Sequence, residues 1–250
     1  MTDQIDPIED LVGDLFVDRA EEFRLCREWI ENIPRMPVNS WALVGRRRTG
    51  KTAILVKFFN QLFREQERVL PVFITFARYL ERKEAISYYD FANEYFTGYV
   101  RSYLAFHYKT PRLFDPATGL LQLGRFAHKV RDEYIQELCE RYEEISAQDD
   151  MAAAHQLAQW VINVPRGYAR FQRKPAAIII DEFQVLTDVY DPIQNLHHDL
   201  TDSFQQASET HWAPLLVSGS AVTLMVEEAL GGLLSGRIGA WYLKPLTQEY

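Results

Sequence analysis

Residues Gly45 to Thr52 read GRRRTGKT. Two glycines bound the loop, and lysine and threonine close it, with the G-x-x-x-x-G-K-T spacing of a phosphate-binding loop. That spacing has a chemical use. The glycines are expected to supply backbone angles that a side chain would forbid. The loop can then turn its N–H groups onto phosphate oxygens. A following helix adds the free N–H groups and partial positive charge of its N-terminus. Lys51 has the reach and charge for β- and γ-phosphates, and the Thr52 hydroxyl is a Mg²⁺ ligand. Arg46, Arg47, Arg48, Thr49 and Ala53 complete the expected nucleotide-binding set.

A second group of chemical residues lies far downstream. Asp181 and Glu182 follow the apolar run Ala-Ala-Ile-Ile-Ile. An acidic residue after a buried strand holds Mg²⁺ in phosphate-loop enzymes, which gives Asp181 a metal role beside Thr52. Glu182 is the candidate base, placed to orient or deprotonate a water for attack on a γ-phosphate. Successive side chains leave a strand in opposite directions, so the two carboxylates should not do the same job. A glutamate beside the aspartate favours water as the acceptor over a small-molecule substrate. No N-K-x-D string for reading guanine occurs, so ATP is the expected nucleotide.

Two weaker candidates complete the set. Ser218 and Ser220, in VSGSAV, can bond a γ-phosphate or the attacking water, although turn chemistry explains the same residues. Arg237, in LLSGRIG, can stabilise developing charge on phosphate, from its own subunit or a neighbour; a surface arginine reads the same way.

These residues need elements to position them. SWALVG, ending at Gly45, reads as a buried strand. From Lys51 to Gln66, Ile54, Leu55, Phe58, Phe59, Leu62 and Phe63 fall on one helical face. Further strands are expected at Val69–Ala77, Ala176–Ile180, Ala213–Ser220 and Ala240–Leu246. The run up to Ile180 should be buried on both faces. Phe23, Cys26, Trp29, Ile30 and Ile33 form a helical stripe before the first strand. Residues 80–175 read as mostly helical. Within them Tyr88, Phe91, Ala92, Tyr95, Phe96, Tyr99, Tyr103 and Phe106 make an aromatic stripe, suited to internal packing or to a stacking or partner surface. Strands alternating with helices imply an α/β fold, a parallel sheet covered on both faces, with ligands at the carboxyl ends of its strands. Gly45, Asp181 and Ser218 all fall at such ends.

Composition bounds the alternatives. The chain has 250 residues, 47% hydrophobic and 25% charged, with net charge −8. An acidic chain has no overall attraction to nucleic acid or anionic lipid. The acidic N-terminus is unlike a signal peptide, and no apolar run has the length of a membrane span. Cys26 and Cys139 show no metal or disulfide spacing. A cytoplasmic protein with no membrane partner is expected. His197 and His198 are adjacent and cannot share a helix face, so a solvated helix is expected there.

Together these motifs resemble the archaeal-type P-loop ATPases, of the STAND and origin-recognition-like branch of the AAA+ ATPases. FVDRAEE is similar to the F-x-x-R-x-x-E box that opens that family, with Phe16, Arg19 and Glu22 in place. GRRRTGKTAIL looks like its arginine-bearing P-loop, and IIIDEFQVL like its second motif, including Phe183 and Gln184. VSGSAVTLM and GRIGAWYLKPL are similar to its later boxes, with Gly236 and Arg237 matching the glycine-arginine element. The resemblance runs unbroken from Phe16 to the end.

The resemblance implies a RecA-like core with strand order 5-1-4-3-2, ATP and Mg²⁺ as ligands, and use of ATP as a conformational switch. It places Phe16 and Arg19 at the nucleotide. The expected organisation is an acidic leader over 1–15, then an ATPase core over 16–250 with a helical insert at about 80–175. Family members continue into a helical lid and often a winged helix, so a lid beginning at LTQEY would be absent or truncated. The expected partners are ATP and either an unidentified protein or further copies of the chain. A DNA-associated machine, and a nucleotide-binding scaffold without turnover, are the alternatives; the net charge does not support DNA.

Overall fold

A computed structural model describes residues 6–9, 19–82, 85–148, 151–191, 196–204, 211–219 and 238–244. Its centre is a five-stranded parallel sheet. The core strands are β1 (Ser40–Val44), β2 (Leu70–Thr75), β4 (Ala176–Asp181), β7 (Leu215–Gly219) and β8 (Ile238–Tyr242). They lie in the order β2-β4-β7-β1-β8, every neighbouring pair parallel. Numbering the five along the chain, this is the expected order 5-1-4-3-2.

Burial explains the composition of the strands. All six residues of β4 are buried, as a central parallel strand requires. The two faces of the sheet can be told apart at β2. Phe73 meets Phe59 of helix α2 (Lys51–Glu65), ring centroids 5.5 Å apart. Its neighbour Ile74 points the other way, onto Gly98 of α4 (Tyr88–His107). Helices therefore cover both faces. The α4 helix also caps the edge of the sheet, where the Ser102 hydroxyl accepts the Phe73 N–H at 3.1 Å. An edge strand with a spare N–H is an aggregation hazard, and this contact removes part of it.

Among the helices between β2 and β4, the four longest are α4, α5 (Leu120–Val130), α6 (Glu133–Ser146) and α7 (Met151–Gln172). The whole aromatic stripe is buried within them and against the sheet. Phe96 stacks on Tyr142 at 4.7 Å, and Tyr99 and Tyr134 share a hydroxyl hydrogen bond of 3.0 Å. The stripe is packing, and no stacking surface is left on it. Helix α1 (Ala20–Asn32) precedes β1 and buries Cys26, Trp29 and Ile30. A short helix α3 (Ala77–Arg82) follows β2.

One element departs from expectation. His197 and His198 lie in a strand, β6 (Leu196–His198), not in a helix. It pairs antiparallel with β5 (Val189–Asp191), which pairs in parallel with β3 (Ile86–Ser87). His197 and Asp188 are joined by a hydrogen bond. Three residues cannot satisfy their own backbone groups as a helix, but a neighbouring strand satisfies them at once.

Candidate phosphate-binding site

The site begins at the carboxyl end of β1. Leucine and valine carry the strand inward, and the chain leaves it at Gly45 and turns through Arg46, Arg47 and Arg48 into α2. Left-handed backbone occurs twice in this turn, at Arg48 (φ 66°) and Gly50 (φ 85°). At Gly50 the expected reason for glycine holds. Gly45 has a different reason: its φ is not left-handed, but a Cβ there would lie 2.9 Å from Thr49 Oγ1 and 3.2 Å from Leu243 Cβ. Close approach, not backbone angle, excludes a side chain at that position.

Helix α2 starts without a cap. Gly50 offers no side chain, and its first turn holds no acidic residue. Two other helices are capped by side chains, whereas α1 and α5 have no N-cap side-chain bond either. Ser87 and Asp90 close a capping box on α4, and the Asp132 side chain accepts the Ile135 N–H at the start of α6. The start of α2 thus presents N–H groups and dipole charge with no anion of its own, a ready site for phosphate.

Lys51 is the first residue of that helix and is almost wholly buried. Its ammonium donates to the Gly45 carbonyl at 2.9 Å and the Arg46 carbonyl at 3.0 Å. Burial pulls its pKa down, while Glu182 and Asp181 oppose that shift and Arg47 adds to it. Arg46, Arg47 and Arg48 are exposed. Thr49 closes the loop by donating its hydroxyl to the Arg46 carbonyl at 2.9 Å. Ala53 lies half-buried in the first turn of α2.

Across from the loop stands the end of β4. Asp181 Oδ2 accepts a hydrogen bond from Thr52 Oγ1 at 2.8 Å. Its Oδ1 accepts one from the Ser218 hydroxyl. Register explains both. Ile180 is level with Val217 on β7, so Ser218 stands beside Asp181. Desolvation raises the Asp181 pKa, the two hydroxyls lower it, and Glu182 raises it again. The Ser218 side chain is fully buried and committed to Asp181. Sequence reasoning aimed this hydroxyl at a γ-phosphate or a water; its partner is the carboxylate.

The Thr52–Asp181 pair can be tested against a cation. Mg²⁺ takes oxygen ligands at about 2.0–2.1 Å in octahedral geometry, usually one or two protein groups with phosphates and waters. Two adjacent corners of such an octahedron are roughly 2.9 Å apart. The 2.8 Å separation of the two oxygens fits one edge. The donor set, one hydroxyl and one carboxylate, also suits a hard cation.

Glu182 leaves the strand in left-handed backbone (φ 57°, ψ 44°) and opens a short 3₁₀ turn over Phe183–Thr187. The same left-handed backbone occurs at Lys109, Arg131 and Arg173, away from the site. The Glu182 carboxylate is half-buried and accepts from the Gln184 side-chain amide. The sequence alone assigns Gln184 no role. Two positions beyond a candidate base, its amide was the available signal.

Arg19 lies against the phosphate loop. It is buried, and its Nη2 donates to the Thr49 and Lys244 carbonyls, each at 2.9 Å. Its Nη1 pairs with Glu22 at 3.1 Å. Phe16, Ser220, Gly236 and Arg237 lie outside the described residues. The described residues contain no grouping of three or more His, Cys, Asp and Glu that could hold a metal ion, and no helix long and apolar enough to cross a membrane.

No family model matches the sequence, and no curated protein matches it. Solved structures do. The ORC1 protein of Aeropyrum pernix, determined in complex with DNA, aligns with a TM-score of 0.50 at 16% identity. It covers 96% of this chain and 49% of its own. Cdc6p of Pyrobaculum aerophilum aligns with a TM-score of 0.46 at 14% identity, over 96% of this chain and 50% of its own. This chain therefore spans about half the length of either. The chain shares the fold of the ORC1 structure, a five-stranded parallel sheet with flanking helices.

Proposed function

We propose that this chain binds ATP with Mg²⁺ at the α2 N-terminus and hydrolyses it to ADP and phosphate, using the bound nucleotide as a conformational switch. One observation carries the reading. The uncapped start of α2, which follows a glycine-bounded loop, lies beside a hydroxyl–carboxylate pair spaced for Mg²⁺.

Each residue then has a task. The N–H groups of the loop and of the first turn of α2 bind phosphate oxygens. Lys51 exchanges its two carbonyl partners for phosphate oxygens. Thr52 and Asp181 hold the cation, and Ser218 fixes the rotamer of Asp181. Bound Mg²⁺ would neutralise charge on the phosphates and draw electrons from the bond that breaks. Glu182, steadied by Gln184, orients a water and takes its proton as the water oxygen bonds to phosphorus and the bridging oxygen leaves with ADP. Arg237 is proposed to stabilise charge on the transferred group, and Phe16 to contact the nucleotide.

Phosphate release from Mg-ATP tests the reading directly. Release that needs Mg²⁺ and Lys51 supports it. ATP binding without release leaves a nucleotide-binding scaffold. A DNA-associated role has one supporting observation, the exposed Arg46, Arg47 and Arg48. The measurement for it is DNA binding as a function of salt, with and without ATP, since phosphate contacts give a steep salt slope.

A further inference from the structure

We infer that Arg19 is a positioning residue that couples the phosphate loop to the chain leaving β8, so that nucleotide binding at the loop is felt at Leu243 and Lys244. The inference rests on the reading of the loop as an ATP site.

The geometry is specific. A single buried nitrogen, Arg19 Nη2, bonds two carbonyls from distant parts of the chain, Thr49 in the loop and Lys244 just past β8. The guanidinium fork is planar and rigid, so it holds those carbonyls at a fixed separation. Glu22, three residues on, pairs with the other arm of the fork. The two segments touch elsewhere as well. The Leu243 N–H donates to the Val44 carbonyl at 2.8 Å, and Gly45 has no room for a Cβ beside Leu243.

The loop also has a contact that phosphate must disturb. Lys51 holds the Gly45 and Arg46 carbonyls, and Thr49 Oγ1 holds Arg46 again. A triphosphate competes for Lys51. When Lys51 leaves, the loop loses two inward bonds and Thr49 shifts with it. Arg19 links that shift to Lys244. Coupling of this kind needs an element with two arrangements, and Lys51, turned onto carbonyls or onto phosphate, is that element. Arg19 acts through the Thr49 carbonyl and needs no contact with the nucleotide.

The test is amide hydrogen exchange on the full chain, with and without saturating Mg-ATP, read at Leu243 and at 46–50. Arg19→Gln is compared with Arg19→Lys and with Arg24→Gln, an exposed charge on α1. In the wild type, nucleotide should change Leu243 exchange several-fold. In Arg19→Gln, exchange at 46–50 and at Leu243 should rise together without nucleotide. ATP affinity should fall about tenfold, the scale of one charge-assisted hydrogen bond. At saturation the response at Leu243 should be lost. Arg19→Lys, which keeps the charge but not the fork, should give a partial response and serves where the glutamine variant folds poorly. Arg24→Gln should match the wild type. A saturated Arg19→Gln protein that keeps the full Leu243 response overturns the inference while leaving the ATP site intact. A wild type that binds no ATP overturns the ATP reading instead. The link itself is then judged on the unliganded proteins, and it fails if Leu243 exchange is unchanged in Arg19→Gln.

Discussion

Thr52 Oγ1 donates to Asp181 Oδ2 at 2.8 Å, joining the first turn of α2 to the carboxyl end of β4. The two residues are far apart in sequence, and their meeting assembles one half of the candidate site. The other half, the bare helix start with Lys51, stands beside it.

The first prediction concerns Lys51. Lys51→Ala removes a charge-assisted contact worth roughly 1.5–3 kcal/mol, so Mg-ATP should bind about tenfold to a hundredfold more weakly. Titration calorimetry measures this. Unchanged affinity would remove the basis for assigning phosphate to the loop.

The second separates Asp181 from Glu182. Glu182→Gln keeps the size of the side chain but not its basicity. ATP affinity should stay near wild type while turnover falls by about 10²–10⁴-fold. Asp181→Asn should lower turnover and also the Mg²⁺-dependent part of binding. Should Glu182→Gln hydrolyse ATP at the wild-type rate, another group positions the water.

The third follows from the buried carboxylate. Desolvation holds the Asp181 pKa above its reference value of 3.8. A carboxyl with a raised folded pKa takes up a proton on folding. Its ionised form therefore costs the folded state stability above the folded pKa, and that cost fades as the pH falls through the folded pKa and is gone below 3.8. Asp181→Asn removes the cost, since the Thr52 and Ser218 hydroxyls can rotate to meet an amide. The unliganded variant should melt above wild type at pH 7. The gain over wild type should vanish below about pH 4. Melting curves across pH test it, and a variant melting below wild type at pH 7 contradicts it.

The fourth concerns Ser218. Ser218→Ala deletes the hydroxyl that fixes Asp181. The Mg²⁺ concentration needed for half-maximal ATP binding should rise, while Mg²⁺-free binding stays level. A change in Mg²⁺-free binding instead would point to direct contact between Ser218 and phosphate.

The fifth concerns base choice. Competition titration should show ATP preferred over GTP, because the sequence lacks a guanine-reading N-K-x-D string. Equal displacement by GTP at equal concentration counts against it.

Much of the fold was legible because its determinants are local. The strand before Gly45, the loop, and the apolar face of α2 carry their own instructions: glycine at a left-handed turn and hydrophobes at helical spacing. The burial of β4 was readable from five apolar residues in a row, whereas the aromatic stripe was shown to be packing only by its burial. Resemblance supplied the strand order, which no local pattern encodes.

Other features exist only in three dimensions. Strand β8 includes Ile238 and Gly239, ahead of the expected Ala240, because they pair with Ser40 and Trp41 of β1. Helix α7 runs through Pro165 to Gln172, since packing against α4 and β4 outweighs one lost backbone bond. His197 and His198 became strand because a partner strand was at hand. Ser218 turned to Asp181 because β7 lies between β4 and β1, which puts a hydroxyl level with a carboxylate. Arg19 found its carbonyls for the same kind of reason. By itself the sequence determined which residues have phosphate and metal chemistry, because chemical type and short-range spacing are written in it. Which of them touch, and through which atoms, was decided by the order and register of distant strands, because hydrogen bonds between residues far apart along the chain form only once the sheet has brought them together.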